Sequence, residues 1–433
     1  MNARHIRRGG TALVAALSAL VLSLGLAAPA AAEVIENEGE FQMIEVNKTY
    51  TFTTEDPSAI GMWQDQDWWR FELPKSGTLQ LVATSLATGD EEADAGWSIS
   101  LVTSEAQDEF GSAYGGYNAS INLLAEDGSK STAITGVDAG TYDISVHPSR
   151  ELDYGQQYQL MVKYTPSDAW ESEYNNGANK SDALTLGKMM NGGIDNQFDQ
   201  DWFEFTTTGF GTVEFAFDGT DATDGTWRVS VIDNPYAEKA LYEKAFDSSS
   251  AHTTGEIEVS PGTHYVVVSG NQWDKGVVDS YYKLTATFTA DAEIPMWRLY
   301  NPYSGEHLFT RDAEEREKLA SLGWTDEGLA WTAPGTGEVV WRLYNPYSGD
   351  HHYTMKADEY ESLAEIGWEQ EGIAWYSASK DDKGAVPLYR LFNPYATVAT
   401  HHYTASSDEY NKLGEVGWEQ EGYAWYGVTP AKK

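Results

Sequence analysis

The sequence predicts a mainly β protein: two β-sandwiches followed by a β-rich domain of three repeats with one short helix in each. Three observations lead there. Between Glu33 and about Asp291, short alternating runs rich in Val, Thr, Tyr and Phe are separated by Gly, Asp, Asn and Ser clusters, the pattern of all-β sandwiches. That region answers itself once. Beyond it one aromatic phrase occurs three times, as "RLYNPYSGEHLFT" from Arg298, "RLYNPYSGDHHYT" from Arg342 and "RLFNPYATVATHHYT" from Arg390.

The first residues read as an address. Arg4, Arg7 and Arg8 precede an apolar run from Thr11 to Ala28, and Ala30 and Ala32 suit cleavage before Glu33. Residues 1–32 are therefore expected to be a signal peptide. The run nearly suffices to span a bilayer, so an uncleaved anchor is the alternative. No cysteine follows it to carry a lipid, and no second apolar run or apolar tail appears. Export and release are expected, with cell-wall association as a further possibility and no stable membrane insertion.

The formal charge of −39 comes from 67 acidic against 28 basic residues. Such a surface repels phosphate backbones and anionic lipid, which argues against nucleic-acid partners. It favours hard cations, calcium above all, although solubility outside the cell explains the charge equally well. With no cysteine, disulfides, thiol nucleophiles and thiolate zinc sites are excluded.

Strands are expected at 49–54, 78–85, 141–147, 157–164, 263–269 and 281–288. In "DWWRFEL" (67–73) the two-residue period puts Trp69, Phe71 and Leu73 on the core face and Trp68, Arg70 and Glu72 on the other. "QDQDWWRFELPKSGTLQL" (64–81) is matched by "FDQDWFEFTTTGFGTVEF" (198–215), and "VDAGTYDISV" (137–146) by "VSPGTHYVVV" (259–268). Two copies in one order imply two sandwiches, 33–165 and 166–290. The passage 165–181, rich in Pro, Ser and Asn, suits a linker.

"WESEYNN", "DQDWFEF", "GTHYVVVS" and the closing Tyr-rich strand resemble the bacterial pre-peptidase C-terminal domain. The likeness is fuller in the second sandwich than in the first. It implies a jelly-roll sandwich, a non-catalytic accessory of secreted enzymes related to clostridial collagen-binding domains. It also implies calcium, at Glu171, Glu173, Asn175, Asn176, Asp199 and Asp201. These residues supply the carboxylate and amide oxygens that calcium takes. The competing reading is that an Asp before a strand is a turn residue and the linker acids are simply solvated. The first sandwich has Asp65 and Asp67, but its upstream "ENEGEF" (36–41) lacks the paired asparagines.

The domain 291–433 divides into units 297–333, 341–377 and 389–427. Residues 297–426 hold eight of sixteen Trp and thirteen of 26 Tyr, and fixed-period self-similarity marks a repeat architecture. In each unit a strand meets Asn-Pro-Tyr, a turn sequence. A second strand follows, and then a helix within 311–323, 355–367 or 405–417. Asp312/Glu315 and Ser406/Glu409 have capping-box spacing, and Gly323, Gly367 and Gly417 suit the helix stop. Leu319/Leu322, Leu363/Ile366 and Leu413/Val416 are expected to face inward together. Each unit closes on "GWTDEGLAW", "GWEQEGIAW" or "GWEQEGYAW", read as two strands around an acidic turn. One unit cannot bury its aromatics, so three are expected to close with approximate three-fold symmetry.

These units resemble a repeat family with the signature Y-R-L-Y-N-P-x-S-G-E-H-x-Y-T, then a helix, then G-W-x-x-E-G-x-A-W. Its members occur in secreted and surface proteins of Gram-positive bacteria and have no assigned activity. The third unit departs from the signature at "NPYATVATHHYT", two residues longer and without the Gly-acid pair.

Aromatic rings beside amide and carboxylate groups suit sugars, and three equivalent sites would add avidity. Trp324, Trp331, Trp368, Trp375, Trp418 and Trp425 are expected mostly in the core. The candidate ligand-binding residues are Tyr303, His307, Tyr347, His351, Tyr395 and His401. If the three histidines converged they could hold zinc; hydrogen bonding within each unit is the alternative. No motif for a metalloprotease, α/β-hydrolase or P-loop is present. The expected function is carbohydrate binding or adhesion to cell-wall or host glycan without catalysis. The alternatives are a glycan- or peptide-bond hydrolase with its site in the repeats, and a protein-binding adhesin.

Overall fold

The computed structural model describes residues 33–34, 42–54, 67–87, 96–103, 119–148, 155–219, 221–222, 225–271 and 275–429. The expected signal segment 1–32, the stretch 36–41 and Asp65 lie outside the described residues. The described chain is mostly strand, and its three α-helices all lie in the C-terminal repeats.

Alternation builds each sandwich. In Asp67–Leu73, Trp69, Phe71 and Leu73 turn into the core while Arg70 turns out to pair with its cross-strand neighbour Asp143 at 2.7 Å. One sheet runs Gln42–Met43, Asp67–Leu73, Gly140–Pro148, Gly96–Thr103, Ser120–Leu124. Facing it are Glu33–Val34, Thr49–Thr53, Gln157–Pro166, Gly77–Ser85 and Ser129–Ser131. The second sandwich repeats the first sheet's order with Asp182–Ala183, Gln200–Thr207, Gly262–Gly270, Thr226–Ile232 and Tyr242–Asp247. Its other sheet runs Met189–Ile194, Ser280–Ala290, Gly211–Asp218, His252–Thr253. Three buried indoles of the sandwiches find acceptors: Trp69 donates to the Tyr158 hydroxyl, Trp97 to Thr54 and Trp227 to the Gly219 carbonyl.

The passage read as a linker is instead closely packed. Trp170 bridges to Asn191, the amide of Glu173 donates to the Gly136 carbonyl in the first sandwich, and Glu171, Glu173 and Asn175 are buried. A side chain on Gly136 would collide with the Glu171 carbonyl, so glycine permits the two sandwiches to approach here.

Each C-terminal unit is a three-stranded sheet with a helix between its second and third strands. The strands are Ile294–Tyr300, His307–Thr310 and Thr325–Ala333; Glu338–Tyr344, His351–Thr354 and Glu369–Ser377; Ala385–Phe392, His401–Thr404 and Glu419–Val428. The helices are α1 (Ala313–Ser321), α2 (Ala357–Glu365) and α3 (Ser407–Glu415). The G-W-x-x-E-G-x-A-W phrase forms one strand, not two around a turn. Arg298 faces Gly328 and Leu299 faces Asp326, so Glu327 is skipped; Glu371 and Glu421 are skipped likewise. The glycine after each has positive φ, as such bulges favour.

Asp312 and Ser406 cap their helices, accepting from the amides of Glu315 and Glu409. Glu315 turns its carboxylate to Arg342 in the next unit, 2.9 Å away. The apolar pairs do not both face inward: Leu319, Leu363 and Leu413 are half-buried, whereas Leu322, Ile366 and Val416 are exposed, because the helix ends there and its last turn leaves the sheet. In the longer third turn, Ala399 takes the left-handed conformation that Gly305 and Gly349 take in the others, a position where an L side chain is disfavoured.

Trp331, Trp375 and Trp425 meet at the centre with ring centroids 5.3 to 6.0 Å apart. Trp324, Trp368 and Trp418 are half-buried. Around the centre, the Tyr353 hydroxyl accepts from the Phe309 amide and donates to its carbonyl. Tyr403 does the same to Tyr353. The second sandwich is docked onto this domain. Phe210 belongs to its core, the Arg311 guanidinium lies 3.6 Å from the Phe210 ring centroid, and Tyr376 donates to the Thr208 carbonyl.

Replacing Tyr353 by Phe strands a buried amide and carbonyl of Phe309. The expected loss is about 1–3 kcal/mol, read from urea unfolding of the full chain.

Candidate functional site

The buried acidic group in the second sandwich is assembled from three places. The 170–182 passage brings Glu171, Glu173 and Asn175; the strand entry brings Asp199 and Asp201; the turn between them brings Asp195. Glu171, Glu173 and Asp201 each place one oxygen within 4.8 Å of the others, as do Glu173, Asp195 and Asp199. Asn176 lies outside this buried set. It is exposed, accepts from the Gln200 amide at 2.6 Å and hydrogen-bonds the Asp199 carboxylate. Asp195 was missed by sequence reasoning; its only signal was acid spacing, common in a chain this acidic.

Neighbours hold the group in shape. Glu171 accepts from the Gly193 amide at 2.5 Å, and the Tyr282 hydroxyl lies 2.6 Å from Asp201 and 3.2 Å from Glu171. A side chain at Gly192 would strike the Tyr282 ring, so glycine keeps that hydroxyl in place. Asp182 anchors the passage, accepting from the Ser172 amide and the Asn175 side chain.

Burial sets the charge states. It holds Glu171 and Asp201 well above the usual carboxyl range and raises Asp199, with repulsion from neighbouring carboxylates adding to the effect at Glu171 and Asp201. Burial with the same repulsion pushes Glu173 up to about 11 and Asp195 to about 7. The buried oxygens Asn175 Oδ1, Asp199 Oδ1 and Asp201 Oδ1 have no hydrogen-bond partner, a costly state unless something else satisfies them. Oxygens no further apart than 4.8 Å can share one calcium ion bound at about 2.4 Å. The donor set, carboxylates and an amide carbonyl, is of the kind calcium selects.

In the repeats, Tyr303, Tyr347 and Tyr395 are 89%, 87% and 83% exposed. Each follows an Asn whose side-chain oxygen accepts from the Tyr amide, so the turns are pinned. The three histidines do not converge. His307, His351 and His401 lie beside the bulged glutamates of their own units at 3.5, 3.9 and 3.7 Å. The His307 ring packs against His402, and His401 against His352. Burial, with the neighbouring His adding to it, lowers His307 to about 4 and His401 to about 3. Among the described residues no close group of metal-competent side chains contains a histidine. The residues sequence reasoning passed over are Arg298, Arg342 and Arg390, each held by its own bulged glutamate at 2.6 to 2.8 Å and facing a glutamate from another unit's helix. The repeated arginine was the available signal.

Residues 295–428 match the family described as "Domain of unknown function (DUF5648)". No curated protein matches the chain. Among solved structures, the pre-peptidase C-terminal domain of a Bacillus anthracis collagenase is 17% identical over 29% of this chain and 95% of that one, with a TM-score of 0.18. The tandem CBM22 domains of Paenibacillus barcinonensis Xyn10C are 11% identical over 56% of this chain and 86% of that one, at 0.20. The tandem CBM51 modules of a family 98 glycoside hydrolase from Streptococcus pneumoniae are 9% identical over 57% and 85%, at 0.18. Scores this low carry neither fold nor function to this chain. Among the described residues no helix is long and apolar enough to cross a membrane.

Carboxyls whose folded pKa is raised stabilise the fold fully below their unfolded value and lose that contribution as pH rises through the folded one. In chelator, the second sandwich is therefore expected to melt at a lower temperature at about pH 8 than at about pH 5. Asp201→Asn is expected to reduce that difference in differential scanning calorimetry.

Proposed function

We propose that this is a secreted, non-catalytic binding protein whose C-terminal repeats recognise cell-wall or host glycan. The observation that carries the reading is a threefold exposed pair. Tyr303, Tyr347 and Tyr395 stand at equivalent turns, each against the glycine that follows Leu322, Ile366 or Val416, which are themselves 65%, 72% and 73% exposed. Large rings kept in water at three equivalent places serve no core. They suit the apolar faces of sugar rings along a repetitive polymer. The acidic overall charge leaves nucleic acid and anionic lipid as poor partners.

The two sandwiches act in this reading as spacers of the pre-peptidase C-terminal kind. The second is stiffened by calcium on Glu171, Glu173, Asn175, Asp195, Asp199 and Asp201. The ion would supply positive charge, letting the carboxylates ionise inside the fold and satisfying oxygens that otherwise lack partners.

Mixed with insoluble cell-wall polysaccharide, the mature chain is expected to sediment without releasing reducing ends or peptides; their release would indicate a hydrolase. Each single Tyr→Ala change at 303, 347 or 395 is expected to weaken sedimentation about three- to tenfold, with the melting temperature unchanged and the triple variant unbound. Calcium is expected to raise the melting temperature more at about pH 8 than at about pH 5, and Asp201→Asn to lose most of that gain.

A further inference from the structure

The three seams between repeats are built to one plan, and one of them departs from it in an ion pair, a hydrogen bond and a side chain. At the first–second seam, Arg342 is gripped on both sides, by Glu315 at 2.9 Å and Glu371 at 2.7 Å. At the second–third seam, Arg390 is gripped by Glu359 at 3.0 Å and Glu421 at 2.8 Å. At the third–first seam, Arg298 holds Glu327 at 2.6 Å, but Glu409 stands 3.9 Å away. The guanidinium there retains capacity for another partner, while Glu409 accepts from Thr404 and lies 3.4 Å from the His402 imidazole.

The tyrosine bond that locks the other two seams is also missing at this one, because the equivalent residue is Phe309. The residue after each Thr310, Thr354 and Thr404 differs too. Arg311 stacks on Phe210 and Met355 packs against the repeat core, but the third is Ala405, exposed. Above it opens a cleft of about 270 Å³ bordered by Arg298, Glu327, Glu409, Leu329, Trp331 and Ala405; the equivalent cleft at the first–second seam, beside Arg311 and the doubly gripped Arg342, is about 210 Å³. The buried Trp331 indole N–H has no hydrogen-bond partner, as is also true of Trp375 and Trp425 at the other seams.

We infer that the cleft at the third–first seam is a single binding pocket for one neutral sugar ring, so that the triplicated domain carries one specific pocket besides its three tyrosines. This rests on the glycan reading above and deepens it. Two carboxylates and one guanidinium disfavour an anion. A cationic ligand would compete with Arg298 for the same oxygens. A neutral polyol satisfies all of them, donating hydroxyl hydrogens to Glu327 and Glu409 and accepting from Arg298. The volume lies just under the range of about 300–1,000 Å³ usual for drug-sized ligands, which fits one ring.

The seams supply their own controls. Ala405→Met places the side chain of the second–third seam there and fills the pocket; Met355→Ala opens space at the second–third seam but leaves Arg390 gripped and the Tyr403 bond in place. The probes are glucose, galactose, mannose, N-acetylglucosamine and their β-linked dimers, titrated calorimetrically into the full chain, with glucosamine as the cationic control. Wild type is expected to bind one of the neutral sugars at one per chain, Ala405→Met to weaken it at least about tenfold, and Met355→Ala, where Arg390 stays gripped, to leave the stoichiometry at one. Unchanged sugar affinity in Ala405→Met, loss only on Tyr→Ala substitution, or binding of glucosamine alone would each overturn the pocket. If the chain sediments with polysaccharide but no soluble sugar titrates, the pocket fails and the glycan reading stands. If neither occurs, both fail.

Discussion

Three arginines organise the C-terminal domain, and each depends on a distortion of its own sheet. The bulge at Glu327, Glu371 or Glu421 removes one residue from the ladder and delivers its carboxylate to the arginine beside it. The other side of each arginine faces a glutamate on the preceding repeat's helix, the circle closing from the third unit back to the first. Half-buried ion pairs of this kind add little net stability, since desolvation offsets most of the attraction. What they fix is register: the helices cannot slide without leaving a charge unpaired beside the aromatic core. Within that constraint Trp375 packs edge to face against both Trp331 and Trp425.

The same ring explains why the helices look incomplete by themselves. None of the three buries a side chain fully. Glu315 and Glu409 occupy the positions that could return a bond to their own caps, yet Glu315 is committed across a seam, and Glu409 faces Arg298 and accepts from Thr404. A helix so bound acts as a strut between sheets. Its outer end is left to solvent, which is where Leu322, Ile366 and Val416 accompany the exposed tyrosines.

The buried carboxylates of the second sandwich form the other unusual centre, and they lie at a junction. The segment carrying Glu171 and Glu173 touches the first sandwich through Gly136, and the Ile134 amide donates to Tyr281, whose ring also meets Trp170. Carboxyls raised by burial and mutual repulsion are therefore coupled to how the two sandwiches meet.

The periodicity of Trp69, Phe71 and Leu73 and the repetition of whole phrases determined the strand faces and the duplicated architecture, because side-chain direction in a strand follows from backbone geometry alone. Repetition likewise placed the exposed tyrosines, since an Asn-Pro-Tyr turn orients its own residues. Long-range contacts were beyond such reading. The G-W-x-x-E-G-x-A-W phrase gave no sign that its Glu would be bulged towards an arginine, nor did Asp195 reveal that it would join Glu173, because both outcomes depend on which strands and passages the fold brings alongside. Equivalence between repeats was legible; the differences at Phe309 and Ala405 acquired meaning only when the ring closed and set the third unit against the first.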